Sequence, residues 1–558
     1  MRRHFLLGLA LAGMLTVSLP AMYAGRQSTL SAAATATLSA PISASERAAA
    51  EHITAAQLKE YLYYVASDKM EGRDTPSRGL DATARYIAEH LAAWGVKPAG
   101  DNHTYFQKIV LRRDTVDTER TRAEIGGRTF VFAQDFLVGR TEGTISGPLV
   151  YVGDGWVVNS KNINSYKGVD VRDKIMIVAG GGRPKGLTPQ DLQGKKGVDW
   201  YDPATYARTH GARGLIVIPH VRDIEHWWLA RRASLDKGIY QVERFQEEDN
   251  PQVPAIIPSA EMLNTLFAGE RVSGTDILKR VALGEPGEAF DLSPGKRASF
   301  TISLSSETAT TQNVVAVLEG NDPILKHEYV AIGAHYDHVG VGQPVNGDSI
   351  YNGADDDGSG TVSVMALADA FAHGPRPKRS ILFVWHCGEE KGLWGSRYFT
   401  ENPTVPLDRV VTQLNIDMIG RSKKPGDTKP ANRELTGPNE IYVIGSRMMS
   451  TDLGELSERV NREYLNLSFN YRYDDPNDPN RFFFRSDHFN YAQKGIPIIF
   501  YFDGVHEDYH QPSDSPDKID YQKMQKVART IFVTASELAN APARPRVDKQ
   551  LPPELTGR

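Results

Sequence analysis

The 558-residue sequence predicts an α/β protein whose main sheet is mostly parallel, though mixed, and covered by helices on both faces. Three observations lead there. After residue 295, near-continuous apolar runs recur: NVVAVLEG, EYVAIGAH, SILFVWH, VVTQLNID and IPIIFYFDG. A strand wet on one face alternates apolar and polar residues, and these runs do not. Between them, segments such as 360–372, 453–464 and 521–539 carry apolar residues at helical spacing. Finally, the length exceeds one ordinary hydrophobic core and implies two or three domains.

The elements follow in chain order. MRRHFLLGLALAGMLTVSLPAMYAG has a basic start at Arg2 and Arg3, an apolar stretch, and a small residue, Ala24, at a cleavage position. Residues 1–24 are therefore expected to be a signal peptide, with export to the periplasm or the medium. The run is short for a membrane span, so no stable membrane insertion is expected after cleavage. Residues 25–45 are rich in Ala, Ser and Thr and predict a flexible linker. ITAAQLKEYLYYVASD and GLDATARYIAEHLAAW predict two helices, the second ended by Gly95.

Near residue 130 the texture changes to short β-rich runs punctuated by glycine: GPLVYVGDG, DKIMIVAGGG and GARGLIVIPH. WYDPATYARTHGA between them predicts a helix. The domain boundaries expected are 46–130 for the first part of the main domain, 131–290 for an inserted domain and 291–540 for the rest of the main domain. A mobile tail is expected over 541–558. Net charge is −5 and no dense Lys/Arg block occurs, which argues against nucleic-acid binding. The single cysteine, Cys387, lies in an apolar run and excludes an internal disulfide.

In open α/β sheets, ligands collect beyond the carboxyl ends of strands. After EYVAIGA come His335, Asp337 and His338. The loop YNGADDDGSG brings Asp355, Asp356 and Asp357. After SILFVWHCG come Glu389 and Glu390, and after VVTQLNI comes Asp417. Beyond IPIIFYFDG come His506, Glu507, Asp508 and His510. Solvated loop acids are common singly. Five segments delivering them to one edge call for something positive among them. Mixed imidazole and carboxylate donors suit zinc, and also cobalt or manganese.

HYDH (335–338), GADDDGSG (353–360), GEEKGLWGS (388–396), NIDMIG (415–420) and YHQPSDSPDKI (509–519) resemble, in order and spacing, the motifs of the M28 metallopeptidases, the two-zinc aminopeptidases. SDHFNYAQKGIPIIF (486–500) is also similar. The resemblance covers about 55–115 and 295–540. It implies a three-layer α/β/α zinc-exopeptidase fold and two bound Zn2+. It further implies His335 and His510 on one metal each, Asp356 bridging both, Glu390 and Asp417 completing one metal each, and Glu389 as general base. The 356–357 peptide bond is implied to be cis.

Asp337 is expected to take the second imidazole N–H of His335 from outside the ligand set. Tyr509 is expected either to bind substrate at the developing oxyanion or simply to pack. His338, His386, His488 and His506 match no ligand position and read as structural or loop residues, while Ser486 and Asp487 are expected to organise the site edge. Arg481 or Arg485, in the loop 471–485, is a candidate for touching substrate. GPLVYVGDG, YKGVDVRDKIMIVAGGG and ATYARTHGARGLIVIP resemble the protease-associated (PA) domain, which implies a substrate-access role for the insert. Trp227 and Trp228, in material that lengthens it, either pack or form a substrate rim.

The function implied is an exported aminopeptidase acting on peptide or protein N-termini. Relatives of the fold include carboxypeptidases of acidic peptides and a one-zinc glutaminyl cyclase. A non-catalytic peptide-binding or receptor-like protein is the alternative from another class. The presence of all five ligands and the base argues against it.

Overall fold

The computed structural model describes residues 41–550 except 181, 185, 188–190, 193, 220–237, 247–252 and 477. The signal-peptide segment, most of the linker, the end of the tail, Trp227 and Trp228 lie outside the described residues. Among the described residues no helix is long and apolar enough to cross a membrane. The chain divides into two compact units, one containing residues up to 107 and from 313 onward, the other residues 108–312.

The strands of the main sheet in chain order are β1 (Phe106–Val116), which passes into the second unit at 108, β2 (Leu304–Leu318), which re-enters the first at 313, and, within the first unit, β3 (Tyr329–His335), β4 (Ser380–His386), β5 (Val410–Ile416), β6 (Glu440–Ile444), β7 (Ser468–Asn470) and β8 (Ile498–Phe502). The chain leaves this unit along β1 and returns along β2. The order in the sheet is β1-β2-β4-β3-β5-β8-β6-β7. β4, β3, β5 and β8 run parallel, β2 pairs antiparallel with β4, and β6 pairs antiparallel with β8. The sheet is thus mixed around a parallel centre. The edge strand β7 and its neighbour β6 have no long apolar run to announce them.

The helices of this unit include α1 (Ala55–Val65), α2 (Arg78–Ala93), α3 (Gly360–His373), α4 (Thr451–Glu463) and α5 (Tyr521–Asn540). Side-chain oxygens of Thr54, Ser77 and Asp520 cap α1, α2 and α5 by accepting N–H bonds from Gln57, Leu80 and Lys523. Strand alternation sends residues to two covered faces. On one, Phe383 of β4 meets Phe371 of α3, which packs on Phe532 of α5 with ring centroids 4.2 Å apart. On the other, Leu382 and Val384 join Phe399 and Tyr491 in a single apolar cluster. Burial on both faces is why β4 reads as an unbroken apolar run.

The second unit carries a sheet in the order 128–131, 122–125, 297–302, 143–151, 175–179, 214–218, 255–258, 136–138. Its inner strands 143–151, 175–179, 214–218 and 255–258 run parallel. Helices Ala260–Phe267 and Gly274–Leu283 supply Met262, Leu266, Phe267 and Ile277 to its core. The unit is wider than the 131–290 expected from sequence texture. Strand 122–125 pairs with 297–302, so sequence on both sides of the expected boundaries folds into this sheet.

Candidate metal centre

The parallel strands β3, β4 and β5 end at one edge, and the loops that follow bring the predicted residues together. His335 is the last residue of β3. Its Nδ1 lies 3.2 Å from the Asp337 carbonyl oxygen. A carbonyl only accepts, so Nδ1 carries a proton and Nε2 is the nitrogen left to face a metal. That Nε2 is 3.3 Å from Asp356 Oδ1 and 3.6 Å from Asp417 Oδ1. His510 Nε2 is 3.0 Å from Asp356 Oδ2 and 3.1 Å from Glu390 Oε2. Donors around a tetrahedral zinc stand about 3.3 Å apart when each bond is about 2.0–2.1 Å. Both sets have that spacing, and Asp356 offers one oxygen to each.

The donors also fit a metal chemically. Asp356 Oδ2, Glu390 Oε1 and His510 Nε2 are buried atoms without a hydrogen-bond partner. Such atoms are costly unless a cation or proton satisfies them. Five carboxylates, those of Asp356, Asp357, Glu389, Glu390 and Asp417, crowd around the two imidazoles, and mutual repulsion calls for positive charge. Asp357 lies beside the His335 set, with Oδ1 taking N–H bonds from Gly360 and Met418.

The two neighbouring glutamates experience opposite fields. Burial pushes the Glu389 carboxyl well above the usual carboxylate range; Glu390, Asp417 and Asp487 add to this, and His335 opposes it. For Glu390, burial and Asp356 push upward, but His338 and His510 prevail and hold it below its ordinary value. Burial raises Asp417. Burial disfavours charge on His335, yet Asp417 and Glu389 hold its imidazole well above the ordinary value. A bound dication would drive every one of these ligands toward its deprotonated form.

The surroundings refine the sequence-based roles. Asp337 does not take the His335 N–H on its carboxylate: Oδ1 is 3.6 Å away, and the bond goes to its own carbonyl. The Asp337 carboxylate instead accepts the backbone N–H of Glu389 at 3.2 Å, which positions the glutamate pair. Ser486 donates to Asp417 Oδ2 at 2.6 Å. The 356–357 peptide bond is cis. His386, His488 and His506 contact Tyr491, the Phe483 carbonyl and Asp355. His338 is different: it converges with Asp356, Glu390 and His510. A cavity opens over Asp356, Glu389 and Asp417, walled by Met418, Phe482, Phe500, Phe502, Val505, Arg485 and Tyr509. Arg481 is not on that wall; its guanidinium sits over Phe484 at 4.3 Å.

Two bracing residues were missed from sequence. Arg73 is fully buried and donates to the carbonyls of Val65, Tyr336, Asn352 and Gly353. It ties together the loops that carry His335 and Asp356. Asp514 accepts the N–H groups of Asp355 and Asp356 on one oxygen, at 2.9 and 3.1 Å. Nothing in EGRDTPS marks Arg73, three of whose four carbonyl partners lie far along the chain.

A cluster of imidazoles and carboxylates at the carboxyl edge of an α/β sheet defines a candidate metal centre. Comparison narrows its kind. Residues 313–535 match the family model described as Peptidase family M28, and over this segment the chain is M28-like. It is 26% identical over 284 residues to "Leucine aminopeptidase 2" of Arthroderma otae, spanning 46% of this chain and 51% of that protein. It is 30% identical over 290 residues to a "Probable zinc metalloprotease" of Pyrenophora teres f. teres, spanning 46% of this chain and 56% of that protein. The chain thus spans about half the length of the curated relatives it matches. The structure aligns with "Aminopeptidase from Aneurinibacillus sp. strain AM-1" at a TM-score of 0.53 and 16% identity, over 90% of this chain and 98% of that one, a likeness of fold.

Proposed function

We propose that the chain is an exported two-metal aminopeptidase that removes N-terminal residues from peptides. One observation carries the reading: two imidazole–carboxylate sets share Asp356, with a fourth carboxylate, Glu389, beside them at a longer 3.9 Å from His335 Nε2. The names of the curated relatives agree with it. The export part rests on the basic and apolar character of residues 1–24, and the PA-like part on the runs within 147–219.

His335, Asp356 and Asp417 would hold one metal, and Asp356, Glu390 and His510 the other. When bound, such a pair supplies Lewis acidity to a carbonyl and an activated water. The chain's own residues do the rest. Glu389, raised by burial and free of a ligand role, takes the proton released as the peptide carbonyl is attacked and passes it to the leaving amine. Asp337 fixes the backbone that carries it. Tyr509, on the cavity wall, donates to the developing oxyanion. The apolar walls at Met418, Phe482, Phe500, Phe502 and Val505 exclude water and suit an apolar side chain.

A second reading, a carboxypeptidase of acidic peptides, has Arg485 on the cavity wall in its favour. Aminoacyl anilide hydrolysis decides between them. Activity that disappears with chelator and returns with zinc is expected. Two bound zincs without activity on any anilide, but with release of C-terminal glutamate, would replace this reading by the second.

A further inference from the structure

The family motifs leave His338 without a role, yet its surroundings are those of a ligand. Its side chain is completely buried, and neither ring nitrogen has a hydrogen-bond partner. Nδ1 lies 2.9 Å from Glu390 Oε1 and 3.6 Å from Asp356 Oδ2. The 2.9 Å contact lacks the alignment of a hydrogen bond, so Oε1 is also unpartnered. Asp356 Oδ2 and His510 Nε2, the remaining donors of the same set, are unpartnered too. These are four orphaned buried atoms from four residues whose donor atoms lie within 4.8 Å of one another. The His338 and His510 rings stand nearly perpendicular, 75° apart, with centroids 5.5 Å from one another.

The backbone makes room for this imidazole. A Cβ on Gly353 would fall 2.5 Å from His338 Cγ and 2.6 Å from its Cδ2. Gly353 also has φ of +56°, which side-chain-bearing residues rarely adopt. The His338 N–H is held by the Arg73 carbonyl at 3.2 Å.

We propose that His338 is a metal ligand, completing a closed set of four protein donors with Asp356, Glu390 and His510. The two metals are then unequal. A closed set of four is the pattern of a tightly held structural ion, whereas three donors leave a position open for chemistry. The cavity agrees with this division. Asp417 and Glu389 line it together with the shared Asp356, while His338, Glu390 and His510 do not. The inference rests on the two-metal reading above.

Zinc uptake by the chelator-treated full chain tests it, measured as equivalents bound against buffered free zinc. Wild type is expected to fill in two steps. His338→Ala should weaken the tighter step by more than roughly 100-fold, beyond the 10–100-fold typical of losing an outer-shell partner, and leave the other step in place. His338→Asn keeps an N–H near the Nδ1 position but supplies no comparable lone pair, so it should fail like alanine. Normal uptake by either variant overturns the proposal; in the asparagine case the role would be that of a donor. His338→Cys keeps the test open should the alanine variant misfold. With cobalt, its thiolate should add a near-ultraviolet charge-transfer band above the wild-type background. A soluble, cobalt-loaded cysteine variant without that band overturns ligation. Wild type that takes up only one zinc overturns the two-metal reading itself, and this proposal with it.

Discussion

At the residue scale, Glu389 and Glu390 are adjacent in sequence and opposite in environment. Glu390 faces imidazoles and would be neutralised by a metal, while Glu389 is raised by burial and stays free to carry a proton. Glu389→Gln removes the proton carrier alone. Turnover should fall roughly 10²–10⁴-fold with both metals retained, read from anilide hydrolysis beside metal analysis of the same sample. Normal turnover would remove Glu389 from the mechanism. Asp356 touches both donor sets, so Asp356→Ala should release both ions; full occupancy in that variant would refute its bridging place.

At the scale of elements, the site is made by loops and held by backbone contacts. Arg73 satisfies carbonyls from three segments of the chain. Arg73→Met keeps volume but strands those buried oxygens, and should cost more than about 3 kcal/mol in urea unfolding. A loss under about 1 kcal/mol would mean that other groups take over the carbonyls.

This is also where the sequence was readable and where it was not. The apolar runs of β3, β4, β5 and β8 announced themselves because a strand buried on both faces has no polar alternation. The candidate ligands were readable because they lie at the ends of those strands or in the segments that follow them. β6 and the edge strand β7 are short and gave no such signal. Arg73 and Asp514 act on peptide groups, which carry no residue identity, so their long-range partners left no trace in the motifs. His338 was visible as one of two imidazoles in HYDH. Its convergence with Glu390 and His510 depends on how three separate loops fold back, and spacing along the chain does not encode that.

For the whole molecule, every proposed ligand belongs to one of the two compact units. Chelation should therefore lower one calorimetric transition and leave that of the 108–312 unit unchanged. At a zinc concentration 100 times Kd, each site adds about 2.7 kcal/mol. A uniform shift of all unfolding would show that the units melt together. Acid acts elsewhere in the same unit. Burial favours the neutral form of Asp508, but Lys518, Ser513 and Arg421 outweigh it and hold the carboxyl down to about 2. Its folded value is below the unfolded value of about 3.9, so its contribution is present above pH 4 and lost as pH falls through 2. Asp508→Asn should be less stable than wild type at pH 7, with the difference shrinking toward zero near pH 2. A difference independent of pH would assign the loss to packing.

Arg73 also sets an order of events at the ribosome. Its carbonyl partners at Tyr336, Asn352 and Gly353 lie 263, 279 and 280 residues further along. At about 5–20 residues per second, they are synthesised roughly 13–56 s after Arg73 itself. Through that interval the nascent chain carries a guanidinium whose buried place does not yet exist, so the first helices have no complete core to close upon. The inserted unit is translated whole within the wait. A chain wired in this way cannot assemble this cluster of imidazoles and carboxylates while it is only partly made.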